Sequence, residues 1–169
     1  MILGREEILK LLKSVPPLVE DYIDLEKQLQ PAGFDLTLNS VYSLKGEGVI
    51  DFSNERRVIP DWEPITFDDT DGKVKLRPGA YVVSFNERVN LPLDIAAIAR
   101  PRSSLLRMGA SLFTALWDPG YSGRSKALLV VFNPAGITVY RNARIAQLVF
   151  IRVRGGTGGG YKGTYQYED

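Results

Sequence analysis

The 169-residue sequence predicts one all-β domain over residues 1–169, with an N-terminal helix and one short internal helix. Short segments of alternating apolar and polar residues recur along the chain, and turn-forming Gly, Pro, Asn and Asp residues separate them. Helical spacing of apolar residues is largely confined to the N-terminal part. Many short strands of this kind are typical of a β sandwich, a jelly roll or a barrel.

The N-terminal helix is predicted over residues 5–15. Its apolar side chains recur at spacings of three and four, which places them on one face: Ile8, Leu11, Leu12 and Val15. Pro16 and Pro17 end this helix, because proline lacks a backbone donor and clashes with the preceding turn. Residues 18–30 allow either a helix or a strand.

Seven later segments are predicted as strands from alternation or from β-branched and aromatic runs. They are residues 35–38, 73–76, 80–85, 95–99, 127–132, 136–140 and 145–153. Residues 103–109 form a short helix between them, with Ser103 as its N-cap and Gly109 as its end. Residues 155–169 begin with a glycine-rich run, so we expect an arm that is mobile when no ligand is bound.

Composition excludes several classes of function. The chain has neither Cys nor His, which rules out disulfides, a thiolate nucleophile, a Ser-His-Asp triad and the usual zinc sites. Acid–base chemistry must fall to Asp, Glu, Lys or Tyr, and any metal must be a hard cation held by oxygen. The 21 basic and 20 acidic residues leave a formal charge of +1, which argues against a polybasic nucleic-acid binder.

The N-terminus has no signal-peptide pattern. The longest unbroken apolar run, residues 127–132, is far shorter than the roughly 20 residues that span a bilayer. We therefore expect a cytoplasmic protein with no membrane partner.

Two segments suit an anionic ligand, and each also has an ordinary structural explanation. The segment at residues 100–107, Arg-Pro-Arg-Ser-Ser-Leu-Leu-Arg, contains the start of the short helix and offers guanidinium and hydroxyl donors to phosphate, although a plain capped helix with solvated arginines would look the same. Arg144 begins a strand, where it could simply be solvated. Alternation there predicts Arg144, Ala146 and Leu148 on one face and Gln147 on the other.

Two acidic positions and one glycine pattern also have both a functional and a structural interpretation. Asp118 precedes Pro-Gly and Asp35 opens a strand, and both could be turn formers rather than catalytic acids. The string Gly158-x-Gly160-x-x-Gly163 matches a dinucleotide fingerprint, but no strand–helix unit can follow it, so the match is accidental.

The order and spacing of these motifs are more specific than any one of them. The segments are Pro-Ala-Gly-Phe-Asp-Leu at 31–36, Arg-Ser-Ser-Leu at 102–105, Asp-Pro-Gly-Tyr-x-Gly at 118–123, Arg-Ile-Ala-Gln-Leu at 144–148 and the glycine-rich arm. Together they resemble the motifs of the dUTPase/dCTP deaminase superfamily, over residues 1–166. The resemblance implies a β-clip, or distorted jelly-roll, fold, a strand near residues 18–23, and a homotrimer with active sites between subunits.

The superfamily contains two chemistries. Its deaminase branch uses a Glu on the strand after Asp-Pro-Gly, at a position corresponding here to Leu128 or Val130. No carboxylate occurs between Asp118 and Glu168, so the resemblance favours the branch that hydrolyses dUTP to dUMP and pyrophosphate with Mg²⁺. The alternatives are a dCTP deaminase or bifunctional enzyme on this deaminase-like scaffold, and a non-catalytic nucleotide-binding trimer.

By this resemblance Asp118 is the general base that activates water for attack on the α-phosphorus, and Asp35 holds Mg²⁺ through water. The residues implied in phosphate binding are Arg102, Ser103, Ser104, Arg144 and Gln147. Those implied in nucleoside binding are Leu116, Tyr121, Tyr161 and Gln166. The arm departs from the dUTPase pattern, with Tyr161 in place of Phe and a deaminase-like Thr164-Tyr165-Gln166 segment, which leaves its role open.

Overall fold

The computed structural model describes all 169 residues, as thirteen strands and three short helices. The helices are α1 (Arg5–Leu11), α2 (Leu25–Gln28) and α3 (Ser103–Arg107). The strands are β1 (Val19–Glu20), β2 (Leu29–Gln30), β3 (Gly33–Lys45), β4 (Asp61–Ile65), β5 (Lys73–Leu76), β6 (Gly79–Phe85), β7 (Arg88–Asn90), β8 (Ile95–Pro101), β9 (Ala110–Phe113), β10 (Ser122–Gly123), β11 (Lys126–Val131), β12 (Ile137–Tyr140) and β13 (Arg144–Arg152). The prediction of a mostly β protein with an N-terminal and an internal helix is confirmed. No helix has both the length and the apolar composition needed to cross a membrane.

One antiparallel sheet organises the fold, in the order β8-β13-β3-β6-β11-β9, with β2 and β4 also paired to β3. The first half of β3 pairs with β13, and its second half pairs with β6 and β4. The edge strands β8 and β9 are joined only by α3 and its flanking residues, so the sheet curls until its edges approach each other. Two smaller sheets, β1-β7-β10 and β12-β5, complete the fold.

The core fills the curled sheet and extends under α1. Its largest fully buried side chains include Phe34, Phe85, Phe150, Leu36, Leu148 and Ile8. Burying one such side chain contributes roughly 1.5–3 kcal/mol, so this cluster holds the strands in register around the site.

Helix α1 is shorter than predicted. It ends at Leu11 rather than at residue 15, and Val15 is 98% exposed instead of joining the apolar face. Pro16 keeps Val15 out of helical backbone, and in a continued helix its ring would clash with the carbonyl of residue 12, so the helix ends before that residue. At the end of the helix the Leu11 carbonyl accepts hydrogen bonds from Ser14 Oγ at 2.6 Å and from the Leu18 N–H at 3.0 Å.

The ambiguous residues 18–30 contain both kinds of element. Strand β1 pairs with β7, which confirms the strand expected near residues 18–23. Asp24 then begins α2 as its N-cap, where Oδ1 accepts a hydrogen bond from the Lys27 N–H at 3.2 Å.

The other predicted elements occur with shifted boundaries. All seven predicted strands are present, and β3 extends to Lys45. Alternation does not predict β2, β4, β7, β9 and β10, which are too short or too exposed to show a period. The N-cap of α3 is Arg102 and not Ser103, since the Arg102 N–H donates to the Ile145 carbonyl at 3.0 Å and keeps Arg102 extended. Gly109, at φ +78°, follows the end of α3 as predicted.

A β-bulge in β13 decides which of its residues face the site. Its register against β3 is Arg144 with Thr37, Ala146 with Leu36, and Gln147 with Asp35. Ile145 is the extra residue that this pairing leaves out. Arg144 and Gln147 therefore lie on the same face as Asp35. The prediction that places Arg144 with Ala146 and opposite to Gln147 is wrong, because the bulge shifts the alternation by one residue.

Candidate active site

The residues predicted to carry chemistry fall into two groups. The first, which we call the arginine group, surrounds Asp35 and consists of Asp35, Arg102, Ser103, Ser104, Arg144 and Gln147. The second, which we call the turn group, surrounds the Asp-Pro-Gly turn and consists of Leu116, Asp118, Tyr121, Tyr161 and Gln166.

Asp35 is the centre of the arginine group. Its side chain is only 2% exposed, and its Oδ2 lies 3.3 Å from Nη1 of Arg102 and 3.3 Å from Nη1 of Arg144. Burial raises the pKa of Asp35, although both arginines act to lower it. One buried oxygen thus holds two guanidinium groups side by side, and these remain 30% and 33% exposed.

The arginine group extends across the sheet through Gln147. This residue lies between Asp35 on β3 and Arg100 on β8 and is paired with both. The three side chains share one face, since directly paired residues point to the same side of a sheet. Arg100 is exposed and makes no ion pair within the chain, whereas Arg102 and Arg144 share Asp35. The face therefore carries three arginine charges against one carboxylate.

Ser103 and Ser104 form the first turn of α3, next to Arg102. Both residues are exposed, and neither hydroxyl makes a hydrogen bond within the chain. Their hydroxyls can donate to an oxygen-rich ligand beside the guanidinium groups.

Asp118 projects from a firmly anchored turn. Trp117 and Ala97 exchange backbone hydrogen bonds of 2.9 and 3.0 Å, and the buried Trp117 indole donates to Ser125 Oγ. The next residue, Asp118, is exposed, and its carboxylate makes no hydrogen bond or ion pair within the chain. An unpaired carboxylate on a fixed turn is available to act as a base.

A cavity of about 270 Å³ with largely aromatic walls adjoins Asp118. Its aromatic lining residues are Trp62, Trp117, Tyr121, Tyr161 and Tyr165. Leu116 lines it as well, and Leu116, Asp118 and Tyr161 also line a neighbouring cavity of about 380 Å³. Flat aromatic walls suit a planar ring such as a nucleobase.

Tyr121 is fixed at the base of the turn. Its ring is buried and packs edge-to-face on Tyr161, with ring centroids 5.7 Å apart. Its hydroxyl accepts a hydrogen bond from Ser125 Oγ at 3.1 Å and donates to Glu168 Oε1 at 3.4 Å. Burial raises the pKa of Tyr121 to about 12, so the hydroxyl stays protonated and the ring serves as a packing surface.

The arm docks on the turn through hydrogen bonds. The Tyr161 N–H donates to the Pro119 carbonyl at 2.7 Å. The Gln166 amide donates to the Gly120 carbonyl at 2.9 Å and accepts from the Ser122 N–H at 3.1 Å. Both ends of the Gln166 amide therefore hold the turn, and its nucleoside contact stays a prediction, as does the mobility of the arm without ligand.

Close packing of arm and turn requires glycine at two positions. Gly120 and Gly160 have φ values of +85° and +81°, in the left-handed region. A Cβ on Gly120 would lie 3.1 Å from the Gly160 Cα, and a Cβ on Gly160 would lie 2.6 Å from Leu93 Cδ2. The glycine-rich run thus lets the arm lie directly on the turn.

A carboxylate of the arm, Glu168, lines the aromatic cavity together with Lys126. Glu168 Oε2 accepts a hydrogen bond from Lys126 Nζ at 3.2 Å. Asp169 adds ion pairs to Arg88 at 2.6 Å and to Arg124 at 3.0 Å. The motifs do not predict these contacts, because they join parts of the chain about forty residues apart or more and no local pattern reports such pairing.

Within one chain, the arginine group and the turn group lie at different ends of strand β8. The bridge between Trp117 and Ala97 places the turn at one end of β8, whereas Arg102 follows the other end. Arg102 lies five residues along from Ala97, which corresponds to roughly 16 Å of strand. The pairing is antiparallel, so Asp118 continues away from Arg102. The two groups of a single chain therefore do not form one compact site.

The chain offers a divalent cation few ligands of its own. No cluster of three or more acidic side chains is placed to hold a metal. Asp35 Oδ2 is shared by the two arginines, whereas Oδ1 takes part in no hydrogen bond. This donor set fits a cation that keeps its water and takes most ligands from phosphate, as Mg²⁺ does.

Arg100 belongs to the segment that the sequence predicts to suit phosphate, but it is not among the individual residues predicted to bind it. The available signal was its position two residues before Arg102, because residues i and i+2 of a strand point to the same side. Trp62 lines the cavity from an exposed strand, β4, that shows no period.

An arginine face suited to phosphate and an aromatic cavity suited to a base are together the features of a nucleotide-binding β protein. The family model described as dCTP deaminase-like matches residues 2–153. The chain belongs to the dCTP deaminase-like family.

Relatives in archaea match almost the whole chain. A probable deoxyuridine 5'-triphosphate nucleotidohydrolase of Methanosarcina mazei is 49% identical over 99% of this chain and 98% of its own length. A protein of the same name from Archaeoglobus fulgidus is 51% identical over 99% of this chain and 97% of its own. A deoxyuridine 5'-triphosphate nucleotidohydrolase of Methanocaldococcus jannaschii is 47% identical over 83% and 88%.

A solved structure agrees on the fold. The 2'-deoxycytidine 5'-triphosphate deaminase of Agrobacterium tumefaciens superposes with a TM-score of 0.62 at 24% identity. The superposition covers 88% of this chain and 47% of the Agrobacterium chain, so this chain spans about half of that protein.

Proposed function

We propose that this protein hydrolyses dUTP to dUMP and pyrophosphate. The observation that carries the proposal is the exposed, unpaired Asp118 carboxylate beside a cavity with aromatic walls. The names of the archaeal relatives, which are 45–51% identical over nearly the full chain, support the same reaction.

In the proposed mechanism Asp118 accepts a proton from a water that attacks the α-phosphorus. A positioned base of this kind typically contributes 10²–10⁴-fold. Arg102 and Arg144 stabilise the negative charge on the phosphate chain, with Ser103, Ser104 and Gln147 as further donors. Because Asp35 holds both guanidinium groups before substrate arrives, little reorganisation is needed during the reaction.

The aromatic cavity takes the nucleoside in this proposal. Tyr121 packs against the deoxyribose, Leu116 contacts the nucleoside, and Tyr161 covers the base when the arm is docked. Gln166 contributes by keeping arm and turn together. Mg²⁺ bound to the phosphate oxygens, with Asp35 facing its water shell, would neutralise part of the phosphate charge.

We further propose that the fold is a β-clip, or distorted jelly roll, and that three copies assemble. The roughly 16 Å of strand between Ala97, which is bridged to the turn, and Arg102 supports a site shared between copies. In such a homotrimer Asp118 of one copy meets the arginine group of a neighbour.

The deciding experiment compares Asp118→Asn with wild type. We expect kcat for dUTP to fall at least a hundredfold while dUTP binding, measured by calorimetry, changes less than threefold. Asp69→Asn is the matched control, since Asp69 is exposed and outside both groups. Unchanged turnover in Asp118→Asn would refute the role of Asp118, and tight binding without turnover in wild type would identify a non-catalytic nucleotide-binding protein.

Deamination of dCTP is the second candidate, because the matched family model is dCTP deaminase-like. Leu128 and Val130, the positions that correspond to the deaminase Glu, are both apolar in β11. The glutamate that lines the cavity, Glu168, comes from the arm and not from β11, and it is paired with Lys126. Incubation with dCTP should release no ammonia, and ammonia release would overturn the choice.

A further inference from the structure

A buried carboxylate, Glu87, lies behind the arginine group between β6 and β7. It is 1% exposed and has no cationic partner, which is unusual for a buried acid. Its oxygens accept three hydrogen bonds: from the Thr37 N–H at 2.9 Å, from Thr37 Oγ1 at 2.6 Å and from Gln28 Nε2 at 2.7 Å. Burial raises the pKa of Glu87, and these hydrogen bonds act to lower it.

The contact with Thr37 links Glu87 to the bulge of β13. Thr37 is paired with Arg144 directly beside the extra residue Ile145. The Thr37 N–H and carbonyl point away from β13, toward residues 86–87, where the N–H donates to Glu87 Oε2 and the carbonyl accepts from the Asn86 N–H at 3.0 Å. Glu87 therefore satisfies a backbone donor on the edge of β3 opposite the bulge. The same bulge turns Arg144 toward Asp35.

The contact with Gln28 fixes the other side of the same segment. Gln28 Nε2 donates to Glu87 and also to the Asp35 carbonyl at 2.9 Å. Gln28 Oε1 accepts from the Ile23 and Asp24 N–H groups at 2.7 and 2.9 Å, so the whole amide is engaged. Glu87 thereby holds the backbone at both Asp35 and Thr37.

We propose that Glu87 is a positioning residue for phosphate binding: it maintains the bulge that sets Arg144 and Asp35 in place without touching substrate itself. This inference rests on the proposed function, since it assigns the arginine group to the phosphate chain. The Glu87 carboxylate is hydrogen-bonded to Thr37 and Gln28 and to no member of the turn group, so the nucleoside contacts of that group should be independent of this residue.

The test separates the phosphate half of the ligand from the nucleoside half. In Glu87→Gln one acceptor oxygen becomes an NH2 donor, so the Thr37 N–H, the Thr37 hydroxyl and the Gln28 amide can no longer all be accepted, while the side-chain shape is kept. We expect pyrophosphate binding, measured by calorimetry, to weaken at least tenfold and deoxyuridine binding to change less than twofold. Glu87→Asp, which keeps the charge, should recover part of the pyrophosphate affinity.

Glu20→Gln is the matched control, because Glu20 lies on the neighbouring strand β1 and accepts from Asn90 Nδ2, away from the arginine group. Thr37→Val, which removes the hydroxyl bond to Glu87 together with the bond that the hydroxyl accepts from Asn86 Nδ2, tests the same link if Glu87→Gln does not fold. Equal losses of pyrophosphate and deoxyuridine affinity, or no loss of either, would overturn the assignment. Since neither ligand needs turnover to bind, absence of dUTP hydrolysis in wild type refutes the proposed function without deciding the role of Glu87.

Discussion

Replacing Asp35 by asparagine separates the stability of the arginine group from its function. At an effective dielectric constant of about 20, each arginine at 3.3 Å attracts the Asp35 carboxylate by about 5 kcal/mol. Burial nevertheless raises the pKa of Asp35, which means that removing the carboxylate from water costs more than both arginines return. A neutral side chain of the same shape should therefore be tolerated.

We expect Asp35→Asn to change the free energy of unfolding at pH 7 by less than about 1 kcal/mol, or to increase it. The two arginines stay hydrated without their partner, because about a third of each side chain is exposed. Function should suffer, since the guanidinium groups are no longer held at one oxygen. We expect the KM for dUTP and the dissociation constant of pyrophosphate to rise at least tenfold.

The measurements are urea denaturation and pyrophosphate calorimetry, with Asp69→Asn as control. A loss of about 3 kcal/mol or more in Asp35→Asn would refute the reasoning, because it would show that the ionised carboxylate holds the fold together. Unchanged pyrophosphate affinity would show that Asp35 does not organise the arginines for binding.

Three further predictions follow from the site. Arg100→Gln should raise the KM for dUTP several-fold with little effect on kcat, because it removes one of three cations from the phosphate face; Arg77→Gln, an exposed arginine elsewhere, should change neither constant in steady-state kinetics. Gln166→Ala should lower kcat/KM about tenfold, since the arm loses two hydrogen bonds to the turn, and an unchanged value would show that the amide does not hold the turn for catalysis. Burial raises the pKa of Glu87 above its value in the unfolded chain, so the native state binds this proton more tightly than the unfolded state does. Ionised Glu87 therefore destabilises the native state, and this destabilisation disappears as the pH falls through the raised pKa. The melting temperature of wild type relative to Glu87→Gln should therefore rise as the pH is lowered from neutral, and a relative fall would contradict the sign.

Local patterns in the sequence predict the parts of the fold that bury one face. Residues 73–76 and 136–140 alternate clearly and pair with each other as β5 and β12. Val15 shows the limit of such patterns, because a following proline overrides the helical period. Strand β7 is too short to show a period, and it is defined by the strands that flank it in the sheet.

The candidate site also contains residues that local patterns predict and residues whose placement depends on distant pairing. Asp118 and Arg102 belong to short motifs that a sequence displays directly. The orientation of Arg144 depends on a bulge beside Thr37, and Thr37 is bound by Glu87, a residue fifty positions away in the chain. Alternation carries no information about such distant pairing, so sequence reasoning places Arg144 on the wrong face.

The separation of the turn group and the arginine group within one chain predicts that two inactive variants can complement each other. If sites form between copies, a chain with Asp118→Asn still supplies intact arginines, and a chain with Arg102→Gln still supplies an intact turn. Mixing two such inactive variants during refolding should restore part of the activity through mixed assemblies, whereas neither variant regains activity alone. Dilution below the assembly concentration should abolish turnover without unfolding the individual chains.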